Sequence, residues 1–87
     1  MQFVKMVQFT RLVKAEGRLR EFNFRKLKRP DEELFSVDVC NERGDRILFN
    51  MQKQENGWKI RSGELPKWIV LNEKKLHDVI EDELQNW

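Results

Sequence analysis

The chain has 87 residues, of which 37% are charged and 39% hydrophobic, and its formal net charge at pH 7 is +2. This length favours a single domain, residues 1–87, with a modest core. No apolar run approaches the roughly 20 residues that a membrane-spanning helix needs. Residues 1–17 mix charged with apolar side chains and lack a small-residue cleavage site, so no signal peptide is expected.

Side chains suited to catalysis or metal binding are scarce. The chain has one histidine, His77, one cysteine, Cys40, and no tyrosine. A structural zinc site takes four Cys or His ligands, and the sequence has no nucleophile elbow, P-loop or dinucleotide-binding glycine pattern. We therefore expect no enzyme, no cofactor and no metal. The single thiol excludes an internal disulfide and favours a reducing, cytoplasmic location.

The first predicted elements are two strands. Residues 3–13 carry apolar side chains at alternate positions, interrupted by Lys5 and Arg11, and these side chains spread nearly all round a helical wheel. A strand is therefore favoured over an amphipathic helix. Gly17 is expected to form the turn into a second strand, residues 18–28.

The second strand places Phe22 and Phe24 two and four positions after a basic residue, Arg20. This spacing resembles the inner motif of RNA-recognition domains, whose aromatic side chains stack on bases. The positions between them hold larger, polar residues than that family has, so no family is assigned. Strand pairing instead predicts that both rings face the core, with Phe24 opposite Val37.

Residues 34–60 give the clearest strand pattern, a meander with two turns. A loop from Asn41 to Asp45, closed by Gly44, sets three pairs of apolar residues opposite each other on one face. The pairs are Val39 with Ile47, Val37 with Phe49 and Phe35 with Met51. A second turn at Asn56-Gly57 predicts the pairings Glu55–Trp58 and Lys53–Ile60, which put Trp58 and Ile60 on the same face.

The C-terminal region predicts a helix. Pro66 suits a helix start, and Asn72 is expected to restart the helix after a short first segment. Ile69, Leu76, Ile80 and Trp87 fall almost on one line of a helical wheel. Glu73, His77 and Glu81, spaced by four, are interpreted as a solvated ridge. The predicted fold is α+β: an antiparallel β-meander of four to five strands with a C-terminal amphipathic helix packed on one face.

Charge is distributed unevenly. Residues 1–29 carry nine Lys/Arg against two Glu, a balance of +7, and residues 30–87 carry eight against thirteen acidic residues, a balance of −5. Such asymmetry is typical either of a basic strand that attracts an acidic helix within the fold or of an anionic partner. The sheet face away from the helix is the candidate anion, nucleic-acid or partner surface. Its candidate residues are Asn23, Arg25, Arg46, Asn50, Lys59 and Arg61.

Two functions are compatible with these features. The favoured one is a small non-enzymatic protein-interaction or self-assembling module, in which an edge strand pairs with another chain. That strand is either the N-terminal run or the one ending at Ser62. The exposed apolar contacts expected for it are Leu12, Val13, Leu48 and Trp68. The alternative is anion or nucleic-acid binding through the basic segment 11–29 and the outer sheet face. Neither a membrane nor a small-molecule substrate is expected.

Overall fold

Five antiparallel strands follow one another across a single sheet in chain order, and two helices follow the last strand. The computed structural model describes residues 7–61 and 63–86. The predicted α+β class, a meander with a C-terminal helix on one face, is confirmed. The elements are β1 (Gln8–Ala15), β2 (Arg18–Leu27), β3 (Leu34–Cys40), β4 (Arg46–Gln54), β5 (Gly57–Ile60), α1 (Lys67–Val70) and α2 (Glu73–Gln85).

The N-terminal run is a strand, as predicted, although it ends two residues beyond the predicted range 3–13. Residues 1–6 lie outside the described residues. The turn into β2 is Glu16-Gly17, and both residues have positive φ, 55° and 75°. This mirror-image turn matches the twist of the strands that it joins, and it sets Ala15 opposite Arg18.

The β3–β4 hairpin has the predicted register. The Asn41 N–H donates to the Asp45 carbonyl at 2.9 Å, and Gly44 closes the loop with a φ of 84°. All three predicted apolar pairs lie opposite each other. Phe24 also lies opposite Val37, so β2 extends the meander as predicted.

The predicted register of the β4–β5 hairpin is wrong. Lys53 lies opposite Trp58 rather than Ile60, so the turn residues are Glu55 and Asn56. The pairing is shifted by two positions, which leaves every side chain on its predicted face. Trp58 is therefore buried, as the meander required.

Gly57 gives the physical reason for the shift. An Asn-Gly hairpin turn needs positive φ at both residues, but in this hairpin only Gly57 has it, at 118°. The His77 ring packs directly on Gly57, where an added Cβ would lie 2.5 Å from Cε1. The contact with the helix thus places Gly57 at the start of β5 rather than in the turn.

The helical region follows the prediction, with one difference at its corner. Asn72 separates α1 from α2, but its side chain does not cap the start of α2 and instead donates from Nδ2 to the carbonyl of Trp68 in α1. Ile69, Leu76 and Ile80 are fully buried, which confirms the predicted apolar line. Trp87, predicted on the same line, lies outside the described residues.

A single core fills the space between the helices and the inner face of the sheet. Its sheet residues alternate with exposed ones, as expected for an antiparallel sheet with one solvated face. The largest fully buried side chains of the core are Trp58, Phe22, Phe24, Phe35, Met51, Ile69, Leu76 and Ile80. Edge-to-face contacts join Phe35 to Trp58, with ring centroids 5.1 Å apart, and to Phe24 at 6.5 Å.

Helix α2 reaches both edge strands of the curved sheet. Arg11 on β1 donates to Asp82 and, at 3.1 Å, to Glu83, so the cation that interrupts the inner face of β1 is paired with the acidic end of the helix. Lys75 donates to the carbonyl of Lys14 at 3.1 Å.

Candidate interaction site

The six predicted surface residues all lie on the outer face of the sheet, the face turned away from the helices. The register requires this position because they alternate with buried residues of the same strands. Asn23 and Arg25 are on β2, Arg46 and Asn50 on β4, Lys59 on β5, and Arg61 follows it. Cys40 is exposed on the same face.

Most of the charges in this set are paired with carboxylates. Exposed pairs of this kind contribute about 0–1 kcal/mol to stability, but each one reduces the positive potential available to an outside anion. The pairs are Arg46 with Asp38 (3.7 Å), Lys59 with Glu73 (3.9 Å) and Arg61 with Glu32 (2.9 Å). In the part of the chain that the structure describes, Arg25 alone among the four cations has no carboxylate partner.

The six residues do not form one site. A depression of about 550 Å³ crosses the outer face from β1 to β4, and only Asn23, Arg25 and Arg46 line it. Asn23 is fixed within it, since its amide donates to Asp38 at 2.9 Å and accepts from the Thr10 hydroxyl at 2.6 Å. The remaining three lie toward the β5 side of the sheet.

The aromatic pair on β2 belongs to the core. Phe22 and Phe24 are 0% and 2% exposed, which confirms the core prediction over base stacking. Arg20, on the same face, is also buried, and its guanidinium lies 4.2 Å from the centre of the Trp68 ring. These side chains are therefore not accessible to a nucleic acid.

The edge of β5 is closed by helix α2. The Arg61 N–H donates to Asn50 of β4 at 2.7 Å, so the alternate residues Trp58 and Ile60 direct their N–H groups away from the sheet. The Trp58 N–H donates to Nδ1 of His77 at 2.9 Å, and the Ile60 N–H donates to Glu73 at 2.8 Å.

The ridge prediction for Glu73, His77 and Glu81 is therefore wrong, because all three side chains bond β5 or its neighbour. Glu81 accepts from the Trp58 indole at 2.8 Å and from Lys53 of β4 at 3.1 Å. These two hydrogen bonds, the indole first, hold the pKa of Glu81 below its usual value. No group of three metal-binding side chains lies together in the described ranges.

The described residues leave the edge of β1 open over most of its length. The Lys26 N–H donates to the Val7 carbonyl at 2.9 Å, so the odd-numbered residues of this strand bond to β2. The even-numbered residues direct their backbone groups outward. The Lys75 side chain donates to the carbonyl of Lys14. No described residue bonds the outward backbone N–H and C=O groups of Gln8, Thr10 or Leu12. The candidate site is this stretch, termed here the open edge (residues 8–12).

Exposed apolar side chains lie beside the open edge. Leu12 is 64% exposed and Leu19 is 67% exposed. Leu19 lies opposite Lys14, so the two leucines are diagonal neighbours on the outer face. Of the predicted exposed contacts, Leu48 is exposed, but Val13 is buried at 6% because it lies on the inner face. Trp68 is partly buried against Arg20.

Comparison with protein-family models, with curated proteins and with solved structures finds no match for the chain. In residues 7–61 and 63–86, no helix has the length and apolar character needed to cross a membrane.

Proposed function

We propose that this protein is a protein-interaction module that binds an extended segment of a partner as a sixth strand on the open edge. Strand addition of this kind takes affinity from main-chain hydrogen bonds and specificity from alternate side chains. The proposal is supported by one observation, the difference between the two edges of the sheet. Helix α2 bonds the outward N–H groups of β5, whereas no described residue bonds the outward N–H groups of Gln8, Thr10 and Leu12.

The surroundings of the open edge suit this function. Unpaired strand edges attract other chains, and proteins commonly cover or shorten them. Here one edge is covered, and the other lies beside exposed Leu12 and Leu19. An added strand would bury both leucines in part. The single cysteine, Cys40, favours a reducing compartment, and the cytoplasm is the proposed location.

A proline substitution tests the proposal at the backbone. Proline lacks the N–H group and is tolerated in a strand where that group faces solvent, as it does at Thr10. Thr10→Pro should therefore leave the pairing of β1 with β2 intact while blocking the outer edge. Thr10→Ala is the matched control, since it also loses the hydroxyl bond to Asn23 but keeps the N–H.

The binding probe is a displayed library of random ten-residue peptides, selected on the wild-type protein. We expect the enriched peptides to bind the wild type and Thr10→Ala, and to lose binding to Thr10→Pro. Circular dichroism and tryptophan fluorescence establish that each variant is folded. Leu12→Lys gives a second folded variant with the same expected loss of binding. Enriched peptides that bind all four proteins equally would refute the proposal.

Self-association and nucleic-acid binding are measured alongside. Sedimentation equilibrium over a concentration series detects a dimer that Thr10→Pro would abolish. A gel shift with single- and double-stranded DNA at low salt detects the alternative of anion binding through residues 11–29, which should weaken steeply as salt is added. Salt-sensitive DNA binding without any enriched peptide would favour that alternative.

A further inference from the structure

Among the described residues, two cations on the outer face of β1 and β2, Lys14 and Arg25, have no carboxylate partner. Most described Lys and Arg residues form ion pairs within the chain. Seven described Lys and Arg residues form no such pair, and two of these seven, Lys14 and Arg25, belong to β1 and β2. One exposed carboxylate on the same strands, Glu21, is also unpaired in the described part of the chain. This side of the molecule therefore keeps an excess of uncompensated positive charge.

The register places these cations in a defined order along the outer face. Arg25 lies opposite Gln8, Asn23 opposite Thr10, Glu21 opposite Leu12 and Leu19 opposite Lys14. From Gln8 to Lys14, the cross-strand pairs are basic, then polar, then apolar with one carboxylate (Leu12 with Glu21), then basic again. The two basic positions are six residues apart along β1, about 20 Å in a strand.

In an antiparallel strand added to β1, alternate side chains would lie on the outer face, opposite the even-numbered residues from Lys14 to Gln8. Residues directly opposite each other in an antiparallel pair point to the same face. A partner residue opposite Lys14 would meet an ammonium group, and the residue two positions later would cover Leu12. The residue six positions later would lie opposite Gln8, one strand away from the Arg25 guanidinium.

We infer that the partner segment is acidic, with two carboxylates six residues apart and an apolar residue two positions after the first. This inference rests on the proposed function, since it assigns the chemistry of the strand that the open edge receives. The first carboxylate pairs with Lys14 and the second with Arg25. The apolar residue packs on Leu12 and the neighbouring Leu19.

The same charges disfavour a second copy of this chain. If two β1 strands pair antiparallel over their full length, Lys14 of one copy lies opposite Gln8 of the other, beside its Arg25. Arg11, which pairs with Asp82 and Glu83 within its own copy, then lies opposite Arg11 of the second copy on the inner face. Like charges at opposite positions destabilise a strand pair. The occupant that fits the charges is a segment of a different, acidic protein.

Fluorescence anisotropy with three labelled nine-residue peptides tests this inference. The acidic peptide has glutamate at its second and eighth positions, valine at the fourth and threonine elsewhere. The basic and neutral peptides have lysine or glutamine in place of glutamate. We expect the acidic peptide to bind about tenfold more tightly than the basic one at low salt, with a difference that shrinks as salt screens the pairs.

Charge reversal on the protein supplies the matched control. Lys14→Glu combined with Arg25→Glu should invert the preference, so that the lysine peptide binds more tightly. Arg43→Glu, at a loop arginine between β3 and β4 that pairs with no described carboxylate, reverses one charge away from β1 and should leave the preference in place. If all three peptides bind the wild type equally and Thr10→Pro abolishes that binding, the charge inference is wrong and the proposed function is supported.

Two other outcomes would overturn both proposals together. In one, no peptide binds to the folded wild-type protein. In the other, the peptides bind Thr10→Pro as tightly as the wild type. If a single-stranded oligonucleotide binds through Lys14 and Arg25 while the acidic peptide does not, the anionic partner is a nucleic acid, and the assignment of an acidic protein segment is wrong.

Discussion

Replacement of Gly57 by alanine perturbs the contact by which helix α2 closes the β5 edge. Gly57 has a φ of 118°, which side-chain-bearing residues rarely adopt, and an added Cβ would lie 2.5 Å from Cε1 and 2.6 Å from Nδ1 of His77. The imidazole must then move. Because its Nδ1 accepts the Trp58 N–H, movement of the ring leaves that donor without its partner.

The two costs can be estimated separately. A strained backbone conformation of this kind costs about 1–3 kcal/mol, and leaving a buried donor unbonded costs about 1–3 kcal/mol more. Gly57→Ala should therefore lower the free energy of unfolding by about 2–6 kcal/mol, a large part of the stability of a small domain. Gly44→Ala is the control, since Gly44 has a φ of 84° and no described residue other than its chain neighbours lies within 4 Å of the added Cβ, so only the backbone cost applies.

Urea unfolding followed by tryptophan fluorescence measures these differences. A double-mutant cycle with His77→Ala isolates the clash. In the His77→Ala background, Gly57→Ala should cost about 1–3 kcal/mol less than in the wild type. If Gly57→Ala costs no more than Gly44→Ala, or shows no coupling to His77, the imidazole does not hold the β5 edge.

Three further predictions concern the contacts by which helix α2 covers the β5 edge and the register of β1. Trp58→Phe removes the indole donor of Glu81 and should cost about 1–3 kcal/mol in urea unfolding, while NMR titration shows the pKa of Glu81 rising toward its usual value. In the wild type, that pKa lies below the usual value of 4.5, so the Glu81 contribution is complete above that value and is lost as the pH falls through the lower, folded-state pKa. Stability should thus decline with acid less steeply in Glu81→Gln than in the wild type, and parallel profiles would contradict the assignment. Val13→Ala, on the inner face, should lower the free energy of unfolding by about 1–3 kcal/mol, whereas Leu12→Ala, its exposed neighbour, should stay within about 0.5 kcal/mol; equal costs would place the register of β1 in error.

The central hairpin was predictable because two local signals agree. Gly44 closes the loop between β3 and β4, and the same register puts the three apolar pairs of the two strands on one face. A shift by one residue would expose Val37 and Phe49, which are buried. The burial pattern and the turn therefore specify the same pairing.

The β4–β5 turn was not predictable because a distant residue decides it. The Asn56-Gly57 pair is a strong hairpin signal, but His77 packs on Gly57 from the helix. Whether each edge of the sheet is open or covered also depends on contacts with the distant helix α2. The spacing of Glu73, His77 and Glu81 shows that they share a helix face, whereas only the packing of α2 against β5 shows what that face contacts.

The open edge of β1 and the covered edge of β5 should differ in their rates of amide hydrogen exchange, which NMR measures residue by residue. The N–H groups of Trp58 and Ile60, bonded to His77 and Glu73, should exchange slowly in the native protein. Those of Gln8, Thr10 and Leu12 should exchange rapidly, while their odd-numbered neighbours in β1 are protected. Slow exchange at all three even-numbered positions, or rapid exchange at Trp58 and Ile60, would contradict the difference between the edges on which both proposals rest.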